Sequence, residues 1–291
     1  MAKLIIDFKN LLKLFIGGAL VFSASCSPIK LADLLSPYDG YDLTSDISYG
    51  SETRQKLDIY KPIGKDIKET ILIFIYGGSW RSGSRSDYRF IAQSFASEGY
   101  TIIVPDYRLY PEVKFPAFVK DIGKAILWVH QKYKKKNSKP KIILVGHSAG
   151  AHIAALLALD DRYLREEGAS VSKIIKGWVA LAGPHAFNPL QTESTRPIFR
   201  AFKNKIKQTQ PKNFARHKAP PGLLLHGNKD KVVYETNSII MAAAIKKKNG
   251  KVKFKSLDGV GHIGILLSMT GSSLFDSSAK KAIVNFIEAL P

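Results

Sequence analysis

Residues 146–150 read Gly-His-Ser-Ala-Gly, and their neighbours limit what this chain can fold into. Before them stands Ile142-Ile143-Leu144-Val145, a short β-branched run suited to a buried parallel strand. After them Ala149 to Leu159 (AGAHIAALLAL) is a helix-prone stretch of small and aliphatic residues. A strand that passes into a helix through Ser148, with glycine two residues away on either side, must turn sharply. Only glycines leave room for that turn, which lifts the serine hydroxyl out of the sheet. The pattern predicts a nucleophile elbow. The bland reading is a glycine-rich turn whose serine only caps the helix.

The remaining elements follow from periodicity. Residues 48–61 alternate in character and predict a strand pair; 70–76 (TILIFIY) reads as a fully buried strand and 101–104 as another. Residues 87–98, 116–132, 238–248 and 278–290 read as helices, and 174–182, 223–226 and 252–257 as strands. Strands alternating with helices predict an α/β fold with a mainly parallel central sheet and helices on both faces. In such sheets ligands gather beyond the carboxyl ends of the strands. The chain's 291 residues suffice for one large domain. No repeat or Pro/Gly linker divides it, and nothing in it specifies an oligomeric state.

The first residues differ from the rest. Lys3, Lys9 and Lys13 precede nine apolar residues, Leu14 to Phe22, too few to span a bilayer but suited to a signal-peptide core. Ser23-Ala24-Ser25 then runs into Cys26, the single cysteine of the chain, so no disulfide framework exists. This arrangement resembles the bacterial lipoprotein signal. The resemblance implies that Cys26 carries a diacylglycerol thioether and becomes the mature N-terminus. The expected organisation is a signal over 1–25, a tether over 26–45 and one α/β domain over 46–291, with 184–220 as a small cap insertion. The expected location is the cell envelope, with the membrane as a partner; an ordinary secreted protein and an uncleaved anchor are the alternatives.

The net charge is +20. Lysines cluster at 132–141, 203–212 and 246–248, without the interleaved aromatics that stack on bases, and read as solvated helix ends. No nucleic-acid module is present.

A serine hydroxyl needs a base to take its proton and an acid to orient that base. Among seven histidines, His262 lies in a glycine-bearing loop (Gly259-Val260-Gly261-His262) after strand 252–257. His226 ends a strand and reads as ordering the loop after it. His147 and His152 lie too close to Ser148 to swing back onto it, and His130, His185 and His217 read as ordinary surface or helix positions. Asp230 follows strand 223–226 and is favoured as the acid over Asp258, which is only four residues from His262. The chain order Ser148, Asp230, His262 is that of the α/β-hydrolases. Strand 70–76 ends in Tyr76-Gly77-Gly78-Ser79-Trp80. The backbone N–H groups of Gly78 or Ser79, with that of Ala149, are the expected oxyanion donors, and Gly77 belongs to the same loop. No metal-ligand spacing such as H-E-x-x-H occurs, and no metal or cofactor is expected.

Together YGGSW, DYRLYPE (106–112), GHSAGAHIA, HGNKDKVV and GVGHIG resemble α/β-hydrolase esterases over about residues 46–290. The similarity is to the hormone-sensitive-lipase-like, kynurenine-formamidase-like, prenylcysteine-methylesterase and feruloyl/acetyl-xylan-esterase groups. It implies Ser148 as nucleophile, Asp230 as acid and His262 as base, with Gly77, Gly78 and Ser79 as the oxyanion loop. Tyr76 stands where these families commonly carry histidine, and Ser79 replaces a third glycine. Asp106, Tyr107 and Arg108 read as structural.

The expected function is hydrolysis of short-chain or small aromatic acyl esters, a small-molecule substrate class. Phe187, Phe199 and Phe202 are candidates to line the acyl pocket. The other readings are an amidase of the kynurenine-formamidase type and a silent, lipid-anchored binding protein on the same fold.

Overall fold

The computed structural model describes residues 28–64, 66–134, 140–270 and 276–291; Cys26 and the expected signal lie outside them. In chain order the elements begin with α1 (Pro28–Leu34), β1 (Tyr41–Ser48), β2 (Lys56–Pro62) and β3 (Thr70–Ile75). A 3₁₀ turn over Arg85–Tyr88 leads into α2 (Arg89–Ala96), β4 (Thr101–Pro105), α3 (Ala117–Tyr133), β5 (Lys141–His147) and α4 (Ala149–Leu159). Short helices α5 (Arg162–Arg165) and α6 (Val171–Ile174) precede β6 (Ile175–Leu181). Then come α7 (Arg196–Phe199), β7 (Gly222–Gly227), α8 (Thr236–Lys247), β8 (Val252–Leu257), α9 (Gly264–Leu267) and α10 (Ser278–Glu288).

The eight strands form one sheet in the order β1-β2-β4-β3-β5-β6-β7-β8. The pairings β1–β2 and β2–β4 are antiparallel, and every other pairing is parallel. Each residue of β3, β4 and β7 is buried, which requires cover on both faces. The two edges are half-solvated. On β8 Lys253 and Lys255 face water, a common protection against edge-to-edge pairing. Helix α4 is apolar around its whole circumference and all its residues are buried, as a central helix requires. This is the α/β-hydrolase fold.

Register positions the site. Ile75 of β3 pairs with Gly146 of β5, so the loop after β3 and the turn after β5 leave the sheet side by side. Gly227 of β7 pairs with Leu257 of β8, which brings the next two loops together at the same end.

The segment expected to be a tether over 26–45 is folded within its described part. Arg89, at the start of α2, donates hydrogen bonds to the carbonyls of Asp33, Ser36 and Pro37. Its Nε lies 3.1 Å from the Asp33 carboxylate, and that carboxylate accepts from the Phe90 N–H at 3.1 Å. Ala32 is buried beneath. The strand pair likewise begins at Tyr41 rather than 48, because β1 is an exposed edge strand with no alternating signal. Among the described residues no helix is long and apolar enough to cross a membrane.

Candidate active site

Ser148 stands between β5 and α4 with φ of 53°, a left-handed conformation that a side chain adopts only at a cost. The flanking glycines are sterically required. A Cβ on Gly146 would lie 2.3 Å from the Gly150 carbonyl oxygen, and one on Gly150 would lie 1.9 Å from that of Ile75. The Ser148 N–H is anchored to the Leu181 carbonyl at 2.9 Å.

Ser148 Oγ lies 3.0 Å from His262 Nε2, and His262 Nδ1 lies 2.7 Å from Asp230 Oδ2. The carboxylate fixes the tautomer. Nδ1–H donates to Asp230, so Nε2 is left to accept from the serine hydroxyl. The three side chains come from the loops after β5, β7 and β8, which the parallel register delivers to one end of the sheet. The rival acid Asp258 points elsewhere and accepts from Asn228 Nδ2 at 2.7 Å.

Asp230 is held ionised. Burial alone would raise its pKa, but hydrogen bonds from His226, His262 and the Val233 N–H outweigh this and hold the carboxyl well below the usual range. Its Oδ1 accepts from the N–H groups of Val232 and Val233 at 2.8 and 2.9 Å. His226, fully buried, places Nε2 2.7 Å from the Val233 carbonyl and 3.4 Å from Asp230 Oδ2, and its Nδ1 is 2.7 Å from Ser238 Oγ. It therefore orders the acid loop, as its place at the end of β7 suggests.

His147 lies too close along the chain to swing back onto Ser148, and it touches His262 instead. Its Nε2–H donates to the His262 carbonyl at 3.0 Å, and the two rings lie 4.7 Å apart. Burial, then the neighbouring His262, push its pKa down to about 3, so the ring is neutral at pH 7. The sequence signal for this contact is its position next to Ser148, at the end of a strand.

The loop after β3 passes through three successive left-handed residues, Gly78 (φ 113°), Ser79 (φ 53°) and Trp80 (φ 59°). A Cβ on Gly78 would lie 2.1 Å from the Ser82 carbonyl oxygen. Gly77 is packed on Ser148, since a Cβ there would lie 3.0 Å from Ser148 Cβ. Ala149 is the first residue of α4, so its N–H has no intrahelical acceptor.

Tyr76 and the DYR segment fasten this loop. Tyr76 Oη donates to Asp106 Oδ1 at 2.7 Å and accepts from Arg54 Nη2 at 3.0 Å, while Tyr107 Oη donates to the Tyr76 carbonyl at 3.0 Å. The Arg85 N–H reaches the same Asp106 oxygen at 2.8 Å. Arg108 makes a two-pronged contact with Asp121 at 3.0 and 2.8 Å. All three DYR residues thus support the fold around the site.

A cavity of about 410 Å³ opens over Ser148. Gly77, Gly78, Ser79, His147 and His262 form its floor, and Ile29, Lys30, Tyr88, Val232 and Ile263 contribute its walls. A larger depression of about 680 Å³ lies beside α3, α5 and α6, but it holds none of the three site residues.

Two expectations are corrected. Phe187, Phe199 and Phe202 do not line the cavity over Ser148. Phe187 stacks on Trp80 at 5.9 Å, Phe199 meets the same ring edge-on at 5.0 Å, and Phe202 packs against Phe115 at 4.8 Å. The 184–220 insertion uses its aromatics to bury its own underside, because its 3₁₀ turns supply few other apolar groups. His185 is not at the surface. It is fully buried beside Trp178 and Gly183, and burial first, then His152 and His226, lower its pKa far below the ordinary value.

Among the described residues no group of three or more His, Cys, Asp or Glu side chains is placed to hold a metal ion.

The BD-FAE family model matches residues 57–245. Isoprenylcysteine alpha-carbonyl methylesterase ICME of Arabidopsis thaliana is 25% identical over 76% of this chain and 56% of its own length. Esterase LipC of Mycobacterium tuberculosis is 27% identical over 74% of this chain and 58% of its own. The chain spans about half the length of the curated relatives it matches. Among solved structures, a truncated carbohydrate esterase from gut microbiota superposes with a TM-score of 0.71 at 23% identity, over 87% of this chain and 98% of that one.

Proposed function

The chain belongs to the BD-FAE family, and from that premise we propose that it is a serine carboxylic-ester hydrolase acting on short-chain or small aromatic acyl esters. The observation that carries this reading is the unbroken run of contacts from Ser148 Oγ through His262 to Asp230, at 3.0 and 2.7 Å. Ser148 Oγ attacks the ester carbonyl as His262 Nε2 takes its proton. The imidazolium so formed faces the Asp230 carboxylate, which stays ionised because its hydrogen bonds outweigh its burial. The tetrahedral oxyanion is met by the N–H groups of Gly78 or Ser79 and of Ala149, each such donor contributing about 3–4 kcal/mol to the transition state. His262 then returns the proton to the departing alkoxide, leaving an acyl group on Ser148. Water, deprotonated by the same imidazole, releases the acid and restores the serine.

Size supports a small acyl group. The cavity of about 410 Å³ has Ile29, Tyr88, Val232 and Ile263 as its apolar lining. The test compares p-nitrophenyl acetate, butyrate and palmitate. Acetate or butyrate should be preferred, and Ser148→Ala should hydrolyse none of them; palmitate preference contradicts the pocket, and an active variant contradicts the mechanism.

The envelope location is proposed on sequence alone, from the run of Ser23-Ala24-Ser25 into Cys26. Cys26→Ala should shift the protein from the membrane to the soluble fraction, and unchanged fractionation contradicts lipidation there.

A further inference from the structure

Helix α1 presents two different faces. Ala32 and Asp33 turn inward onto α2, and Ile29 and Lys30 form part of the wall over Ser148. Leu31, Leu34 and Leu35 share the remaining face, at the spacing that brings side chains into one row on a helix. That face is open to solvent, with Leu31 42%, Leu34 73% and Leu35 48% exposed, and Tyr38 just beyond it is 71% exposed. Val232, which also lines the cavity, is 71% exposed, and Tyr234 two residues on is 67% exposed. The helix and the loop that supply Ile29, Lys30 and Val232 to the cavity thus both carry exposed apolar side chains, unusual on a surface that meets only water.

Charge and chain length say what covers it. Lys30 lines the cavity, Lys229 and Lys231 are exposed beside Val232, and the chain carries a net charge of +20. The apolar run Leu14–Phe22 ends six residues before Pro28, and six residues of chain reach at most about 20 Å in any conformation. If that run, or a lipid on Cys26, enters a bilayer, α1 is held within reach of the head groups. An apolar row beside Lys30, with Lys229 and Lys231 on the loop of Val232, fits a surface of anionic lipid.

We propose that the Leu31–Leu34–Leu35 face of α1 docks on an anionic lipid surface and turns the Ser148 cavity toward esters presented there. Substrate delivery rests on the esterase reading; the docking does not.

The experiment uses the full chain. Because Cys26 is the only cysteine, a Cys26→Ser background carrying Leu34→Cys takes a single environment-sensitive fluorophore. Lys173→Cys is the control, on α6 at the amino end of β6 and so at the far end of the parallel strands. Mixed with phosphatidylcholine vesicles containing phosphatidylglycerol, the label at 34 should shift to the blue and that at 173 should not. Four results overturn the proposal: no binding to vesicles; binding without a shift at 34; equal shifts at both positions; or a shifted label at 34 before vesicles are added. The last would show that this chain's own N-terminal segment or a second copy covers the face.

A second measurement addresses delivery. Leu31→Ser/Leu34→Ser/Leu35→Ser should leave hydrolysis of soluble p-nitrophenyl butyrate unchanged and lower hydrolysis of a vesicle-borne ester by about tenfold or more. Equal rates on the vesicle-borne ester overturn the delivery role. Ser148→Ala must give the same fluorescence shift as its parent, so inactivity toward every ester would count against the hydrolase reading and leave the docking result standing.

Discussion

Asp230 accepts more hydrogen bonds than orienting one imidazole requires. Two backbone N–H groups, His262 and the more distant His226 surround it, and together they hold it charged. His147 acts on the other side, holding the His262 carbonyl to the end of β5. Replacing Ser148 with alanine should cost at least about 10⁴-fold in kcat toward p-nitrophenyl butyrate, since members of such a set act as a unit. His147→Ala should lower kcat by about 10²-fold with little change in KM, as displacement of the base would. His147→Gln, which keeps an N–H donor, should recover part of the loss; a KM effect alone would contradict a positioning role. Ser148, Asp230 and His262 were legible because each follows a recognisable strand. His147 was not, because a sequence shows that it cannot reach Ser148 but not that a loop over a hundred residues later returns to it.

The loops around Ser148 are fastened to the sheet by polar side chains at unusual depth. Tyr76, Asp106 and Tyr107 join the ends of β3 and β4, so the left-handed run Gly78–Ser79–Trp80 is held from beneath. Tyr76→Phe removes the hydroxyl from a buried carboxylate and should destabilise the fold by about 1–3 kcal/mol in urea unfolding. A variant within about 0.5 kcal/mol of the parent would contradict the tie. Among the elements, the parallel strands were legible because burial on both faces leaves uninterrupted apolar runs. Helix α1 was not, since seven residues are too short for a periodic signal and its partner, Arg89, lies far along the chain. The 184–220 insertion is a different case. Its phenylalanines have the composition of a pocket, but packing under short 3₁₀ turns uses them as core.

Across the whole molecule, three of the buried histidines make the fold sensitive to mild acid. Burial lowers His147 to about 3 and His152 to about 4, and lowers His185 well below the ordinary value. All three stay neutral in the folded chain, whereas unfolded histidine takes a proton below about pH 6.5. Their contribution is therefore complete above pH 6.5 and is lost as pH falls from there toward the folded values. Each histidine steepens the loss by about 1 kcal/mol per pH unit. Asp230 works in a separate window, its contribution present above about pH 4 and lost below it. Urea unfolding between pH 7.5 and 4.5 should show this slope, and His147→Gln should make it shallower by one proton; a pH-independent midpoint contradicts the assignment.

The central claim is that Ser148, activated through His262 and Asp230, is the nucleophile. Intact-mass measurement after treatment with a fluorophosphonate tests it most directly. The folded protein should gain one adduct, mapped to Ser148, and Ser148→Ala should gain none. A folded parent that takes no adduct, or takes it on another residue, contradicts the account.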